Sequence, residues 1–177
     1  MSILAVQGRV AAISCGHPAA AAAGWEAIAR GGSVADAALA AAAVLTVVLP
    51  QACTVGGDAF IMVHDGKAGR TYGLNASGRS PQTTDVTKLQ PATIERGPLS
   101  CAVPGAVAGW EALHRRFGRL KWSDIFVRAI DLADKGFPTS PGLASATTTY
   151  RSQLEQDPGA ADLFLSNGPR QAGTLFR

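Results

Sequence analysis

The sequence lacks the features that mark disulfide-rich, zinc-binding, nucleic-acid-binding and membrane-spanning proteins. Its 177 residues include three cysteines, Cys15, Cys53 and Cys101, which are widely spaced and contain no CxxC pair. This pattern indicates neither a disulfide framework nor a zinc site. We expect the cysteines to be small buried hydrophobic residues of a reducing compartment. Aromatic residues make up only 6% of the chain, so the predicted core is built mainly from alanine, valine and leucine.

Charge is also sparse and scattered. Charged residues make up 16% of the chain and the net charge is +3. The one local basic cluster is His114, Arg115, Arg116 and Arg119, whose helical spacing indicates a solvated helix face. A nucleic-acid interface would need a continuous basic stripe with interleaved aromatic residues. We therefore expect no nucleic-acid partner.

Long hydrophobic segments are missing as well. The longest apolar run, Ala37 to Leu49, is shorter than the roughly 20 residues that a membrane-spanning helix needs. The first residues, MSILAVQGRVAAIS, lack the basic segment and long apolar stretch of a signal peptide. We expect a cytoplasmic protein with no membrane partner.

The most informative segment runs from Gly31 to Phe60, GGSVADAALAAAAVLTVVLPQACTVGGDAF. Ser33 and Asp36 have the spacing of a capping box, with aspartate in place of the usual glutamate. The residues from Val34 to Leu49 are almost all small or aliphatic, which predicts a helix that is buried on every side. A catalytic role for Asp36 is the alternative, and capping is favoured because it explains the carboxylate without a further partner.

Helix and strand signals are mixed along the chain. The predicted helices are Pro18 to Arg30, Val34 to Leu49, Ala106 to Phe117, Asp124 to Lys135 with Ser123 as its cap, and Ser140 to Gln153. The predicted strands are Val6 to Ser14, Ala59 to His64, Arg70 to Leu74, Leu99 to Val103 and a short one at Phe164-Leu165. This order predicts an α+β fold in which helices pack on a mostly antiparallel sheet.

Two further motifs are interpreted as structural. Gly56-Gly57 precedes a predicted strand and is followed by no lysine, so it indicates a tight turn rather than a phosphate-binding loop. His17 precedes a helix start and has no partner histidine at metal-binding spacing. We assign no metal site and no catalytic residue within the chain.

The polar loop from Asn75 to Pro81 is the best candidate for ligand contact. Asn75, Ser77 and Arg79 offer an amide, a hydroxyl and a guanidinium on a loop that the preceding strands would position. Arg79 can pair through two hydrogen bonds with a substrate carboxylate. The alternative is an ordinary exposed loop arginine. These three residues are the predicted substrate-binding residues.

Several segments resemble, in order along the chain, the gamma-glutamyltransferase family. The segments GGSVADAALAAAAVL and LPQACTVGGDAF resemble its signature, in which a Gly-Gly helix start leads through a proline to a Gly-Gly-x-x-Phe turn. Further resemblances are His17-Pro18-Ala19 with Gly24, Val103-Pro104-Gly105 with Gly109, and Gly136-Phe137-Pro138. The ordered set covers nearly all of the chain.

The resemblance implies an N-terminal nucleophile hydrolase with a four-layer αββα fold and no cofactor. In this family a precursor cleaves itself, and the new N-terminal threonine of the small subunit attacks a gamma-glutamyl carbonyl with its own amino group as base. Residues 1–177 would then be the N-terminal portion of the large subunit, truncated at the C-terminus and inactive alone. The implied partners are the remaining large-subunit and small-subunit segments and a gamma-glutamyl or related amide.

One position departs from the family pattern. The transferases place a carboxylate-binding arginine four residues before the loop proline, where this chain has Ser77, and the loop's arginine is Arg79. The loop resembles more the branch that includes acylases. Three functions stay open: an enzyme of gamma-glutamyl amides, a cephalosporin (glutaryl) acylase-like amidohydrolase of the same fold, and a non-catalytic binding protein.

Overall fold

The computed structural model describes residues 7–90, 100–166 and 168–177. The chain divides into two compact units. One consists of Met1–Cys53 together with Arg119–Arg177, and the other of Thr54–Gly118.

The described residues form helices and short antiparallel strand pairs. The helices are α1 (Pro18–Ala29), α2 (Val34–Val48), α3 (Ala106–Phe117), α4 (Trp122–Lys135), α5 (Pro141–Thr149), α6 (Arg151–Leu154) and α7 (Pro158–Leu165), with a 3₁₀ turn at Val86–Lys88. The strands are β1 (Ala59–Asp65), β2 (Arg70–Ala76), β3 (Phe137–Pro138) and β4 (Leu175–Phe176), of which β1 pairs with β2 and β3 with β4. The α+β class is confirmed. None of the helices in the described ranges is long and apolar enough to cross a bilayer.

Helix α2 is the centre of the first unit and packs against α1 and α4. Its buried side chains include Leu39, Val44 and Val48, as the apolar run predicts. Small residues let the helices approach closely: a Cβ on Gly24 of α1 would lie 3.0 Å from the carbonyl oxygen of Ala37. The predicted capping box at Ser33 and Asp36 is confirmed. Gly31, with φ +86°, separates α1 from α2 in the left-handed conformation that glycine favours.

The second unit contains the β1–β2 hairpin and α3. The strands pair from Ala59 opposite Ala76 to Asp65 opposite Arg70, and α3 packs against both of them. Helix and strand come very close, because a Cβ on Gly109 would lie only 2.4 Å from the Cβ of Ala76. The observed strands β1 and β2 and helix α3 therefore agree with the strands and the helix that the sequence predicts.

Three predicted strands are wrong in the described residues, and two predicted helices are present with different bounds. Residues 7–14 and 100–103 form no strand, because no neighbouring strand pairs with them, while Val6 and Leu99 lie outside the described residues.

Helix α4 begins at Trp122, before Ser123, with Lys121 as a cap residue that makes no side-chain bond. The last predicted strand is helical: Asp157 accepts from the N–H of Ala160 and starts α7. The predicted helix from Ser140 is two helices, separated at Tyr150.

The expectation that the cysteines are buried is also wrong. Cys15 and Cys101 are exposed and Cys53 is half-buried. The reason is their position in the chain: each lies in a turn or loop next to a helix rather than within one. Loops run over the surface, where their backbone groups can reach water.

Candidate functional site

The candidate loop begins later than the sequence indicates, because β2 continues through Asn75 to Ala76. Asn75 is therefore a strand residue, opposite Phe60 in the ladder. Its side-chain oxygen accepts a 2.9 Å hydrogen bond from the backbone N–H of Ser77. We call Ser77–Arg79 the 77–79 loop. Asn75 and Ser77 are thus joined, and both are exposed.

Asp58 holds the 77–79 loop through both of its carboxylate oxygens. The hydroxyl of Ser77 donates to Oδ2 at 3.2 Å, and the backbone N–H of Gly78 donates to Oδ1 at 2.7 Å. Sequence reasoning missed this residue. The available signal was a carboxylate placed directly after Gly56-Gly57, at the start of the strand whose partner leads into the loop.

The backbone of the 77–79 loop lies directly against the segment before α3. The carbonyl oxygen of Arg79 accepts a 2.9 Å hydrogen bond from the N–H of Val103. A Cβ on Gly78 would lie 1.7 Å from the carbonyl oxygen of Val103. A Cβ on Gly105 would lie 2.3 Å from the carbonyl oxygen of Ala76. These distances leave room only for glycine at both positions.

Gly57, the residue before Asp58, fixes the start of α3. Its carbonyl oxygen accepts hydrogen bonds from the N–H groups of Gly105 at 3.1 Å and Ala106 at 2.9 Å. The first N–H groups of a helix have no partner within the helix, so an outside acceptor satisfies them. The dipeptide Gly57-Asp58 thus fixes both the 77–79 loop and the α3 N-terminus. The sequence interpretation of Gly56-Gly57 as a tight turn with close packing is consistent with this geometry.

Arg79 is the group of the 77–79 loop that is best suited to bind a ligand. Its side chain is exposed, and among the described residues no hydrogen bond or ion pair involves its guanidinium. Within the described residues, this guanidinium makes no hydrogen bond to Asn75 or Ser77. A guanidinium on a fixed backbone can bind a carboxylate through two parallel hydrogen bonds. The Ser77 hydroxyl donates its hydrogen bond to Asp58.

The two titratable residues singled out elsewhere serve the helices. His17 is the N-cap of α1, where Nδ1 accepts a 3.2 Å hydrogen bond from the N–H of Ala19. Burial lowers the pKa of His17 below 6.5. Asp36 is fully buried and accepts from Ser33, Arg119 and Leu120. No group of three or more metal-ligating side chains occurs in the ranges that the structure describes.

Comparison with known proteins gives consistent matches. Residues 20–177 match the family model described as Gamma-glutamyltranspeptidase. The chain is 38% identical over 157 residues to the Glutathione hydrolase-like YwrD proenzyme of Bacillus subtilis, a match that covers 86% of this chain and 30% of that protein. It is 35% identical over 170 residues to the Acylase ACY 1 proenzyme of Pseudomonas sp. (strain V22), covering 89% of this chain and 30% of that protein.

A solved structure is similar over almost the whole chain. The crystal structure of Helicobacter pylori gamma-glutamyltranspeptidase matches with a TM-score of 0.90 and 28% sequence identity, over 98% of this chain and 52% of that chain. The present chain spans about 30% of the length of the two curated relatives. Sequence match and structural similarity agree, and the chain belongs to the gamma-glutamyltranspeptidase family.

Proposed function

We propose that the protein containing this chain hydrolyses or transfers the acyl group of gamma-glutamyl amides, as a glutathione hydrolase does. The observation that carries the proposal is the family match over residues 20–177. Residues 1–177 are then the N-terminal portion of the large subunit. The nucleophile is the N-terminal threonine of a small subunit, which attacks the gamma-glutamyl carbonyl while its amino group takes the proton. The mechanism needs no cofactor.

The contribution of this chain is to bind the acyl group of the substrate. Arg79 pairs with the substrate carboxylate, and Asn75 and Ser77 form the polar edge of the same subsite. Support comes from the exposed guanidinium of Arg79 on a backbone fixed by Asp58 and Val103. A fixed backbone holds the guanidinium in place before the substrate binds, which lowers the entropic cost of binding.

The second candidate function is an acylase that acts on glutaryl or related amides. A specific observation favours it: Ser77 stands where the transferases that the chain resembles place an arginine, and its hydroxyl is bound to the carboxylate of Asp58. The positive charge that the transferases place at this position is therefore absent. The 35% identity to an acylase proenzyme gives this candidate further support.

The layered αββα sandwich belongs to the same proposal. One face of the β1–β2 hairpin is turned towards α3, and the other exposes Phe60 and Met62, which are 73% and 80% accessible. Large apolar side chains that lie side by side on an exposed sheet face mark a surface that another layer covers. We propose that a second sheet of the same protein packs there, ~10 Å away, as in other sheet-on-sheet folds.

The two enzymatic candidates are separated by their acyl donors. The protein containing this chain is assayed with gamma-glutamyl-p-nitroanilide and with glutaryl-p-nitroanilide, which lacks the α-amino group. The first proposal predicts a kcat/KM at least about tenfold higher for the gamma-glutamyl compound. The reason is that the glutaryl compound has no α-amino group and so loses the charged contact that this group makes. Turnover of the glutaryl compound alone would select the acylase. If a folded, processed protein turns over neither compound, both enzymatic candidates are contradicted. The non-catalytic binding protein is then the function that remains.

A further inference from the structure

We infer that Asp58 is a positioning residue, which sets the acyl-donor affinity of this protein by holding the backbone that carries Arg79. The inference rests on the proposed function of the 77–79 loop and adds to it a residue that does not touch substrate. Asp58 acts through hydrogen bonds to the two residues that precede Arg79, Ser77 and Gly78.

The first argument is that Asp58 continues the hairpin where its backbone ladder ends. The last paired residues of β1 and β2 are Ala59 and Ala76. One residue further on, the side chain of Asp58 accepts the N–H of Gly78 at 2.7 Å. The loop therefore diverges from the strand direction while it stays bonded to the hairpin through Asp58. Its backbone lies against Val103: the carbonyl of Arg79 accepts from the N–H of Val103, and Gly78 lies close to the carbonyl oxygen of Val103.

The second argument is that the loop has little other support. The N–H of Ser77 is held by the Asn75 side chain, and the carbonyl of Arg79 by the N–H of Val103. The N–H of Gly78 and the hydroxyl of Ser77 both depend on Asp58. Hydrogen bonds to a carboxylate are stronger than neutral ones. Removing Asp58 releases the middle of the loop, and Arg79 then has to be ordered again on each binding event.

The third argument concerns where a substrate carboxylate can bind. The charge of Asp58 lies within hydrogen-bonding distance of Ser77. Two negative charges a few ångströms apart repel each other even near a solvated surface. A substrate carboxylate is therefore disfavoured at the Ser77 position and favoured at Arg79, so the position of Arg79 affects affinity.

The test uses the protein containing this chain, with Asp58→Ala compared against Asp65→Ala. Asp65 is a matched control because its carboxylate accepts from the N–H groups of Lys67 and Ala68 at the opposite end of the same hairpin. Hydrogen exchange reports the loop directly. We expect the Gly78 amide to exchange about tenfold faster in Asp58→Ala, as the loss of its one charged acceptor predicts, and to stay unchanged in Asp65→Ala. An unchanged Gly78 amide in Asp58→Ala would overturn the inference.

A double-mutant cycle with Arg79→Ala then tests whether Asp58 acts through Arg79. We expect Asp58→Ala to raise KM for the acyl donor about tenfold with kcat nearly unchanged, and by less than about twofold when Arg79 is already alanine. An equal rise in both backgrounds, or a fall in kcat alone, would overturn the inference. If the wild-type protein turns over no acyl donor, the proposed function fails, whereas the exchange experiment still decides whether Asp58 holds the loop.

Discussion

The backbone N–H of Arg119 donates a 2.9 Å hydrogen bond to Oδ2 of Asp36, across 83 positions of sequence. The same oxygen accepts from the N–H of Leu120 at 3.3 Å and from the N–H of Ser33 at 2.7 Å. One buried carboxylate thus begins α2 and fixes the segment that leads into α4. This explains why an aspartate lies at the start of an otherwise apolar helix.

Replacement of Asp36 by alanine is predicted to destabilise the protein strongly. It leaves three partly buried backbone N–H groups without this acceptor, and an unsatisfied buried donor costs about 1–3 kcal/mol. We expect the free energy of unfolding to fall by about 3 kcal/mol or more, measured by urea denaturation. Asp124→Ala is the control, because Asp124 forms an exposed ion pair with Arg30 and such pairs contribute ~0–1 kcal/mol. Equal losses in the two variants would contradict the role given to Asp36.

Gly78→Ala is predicted to damage the 77–79 loop. The added Cβ would lie 1.7 Å from the carbonyl oxygen of Val103, so the loop backbone has to move. Gly66→Ala in the β1–β2 turn is the control, since nothing lies within 4 Å of its Cβ position. We expect Gly78→Ala to raise KM for the acyl donor about tenfold or more and Gly66→Ala to leave it unchanged. The account of the loop fails if Gly78→Ala binds its substrate normally.

Protonation of His17 is predicted to weaken α1. The neutral ring accepts from the N–H of Ala19, and burial lowers its pKa below 6.5. The unfolded chain therefore binds the proton more readily than the folded one. The contribution to stability is complete above pH 6.5 and is lost as pH falls through 6.5 towards the folded-state pKa.

The measurement is Tm between about pH 8 and pH 5 for the wild type and for His17→Asn, because asparagine caps helices without titrating. The wild type is expected to lose more stability on acidification than the variant. Parallel pH profiles would show that His17 contributes nothing to the pH dependence.

The exposed face of the β1–β2 hairpin gives a prediction about the rest of the protein. If a second sheet covers it, Met62→Glu buries a charge and lowers the stability of the whole protein by several kcal/mol, about the cost of an unpaired buried charge. Val86→Glu is the control, because Val86 is 73% accessible and lies in a 3₁₀ turn outside the hairpin. Thermal unfolding of the two variants compares them directly. Equal Tm values would contradict a layer over Met62.

Local sequence signals were sufficient for elements that depend on near neighbours. The Ser33–Asp36 capping box and the β1–β2 hairpin follow from residues a few positions apart, and both are confirmed. The strand predicted at Phe164-Leu165 was wrong because Asp157-Pro158 starts a helix. An aspartate N-cap followed by proline is a signal for a helix start, and the structure shows α7 there.

The site was harder to predict because its supports are distant in sequence. Asn75, Ser77 and Arg79 are recognisable from the sequence as polar groups, although Asn75 lies in β2 rather than on the loop. Their role in binding stays a prediction. Asp58 could not be connected with them, because its bond to Gly78 spans 20 residues and depends on the register of β1 and β2. Side-chain acceptors for a distant backbone leave no periodic pattern in a sequence.

The most direct test of the central claim is the KM for gamma-glutamyl-p-nitroanilide of Arg79→Ala, compared with Arg70→Ala in the protein containing this chain. Arg70 begins β2, away from the 77–79 loop, and its guanidinium lies 5.8 Å from the Tyr72 ring. We predict that Arg79→Ala raises KM about tenfold or more, the effect of a lost charged hydrogen-bonded contact, and that Arg70→Ala leaves it unchanged. The same KM in Arg79→Ala as in the wild type would contradict the assignment of this loop to the substrate.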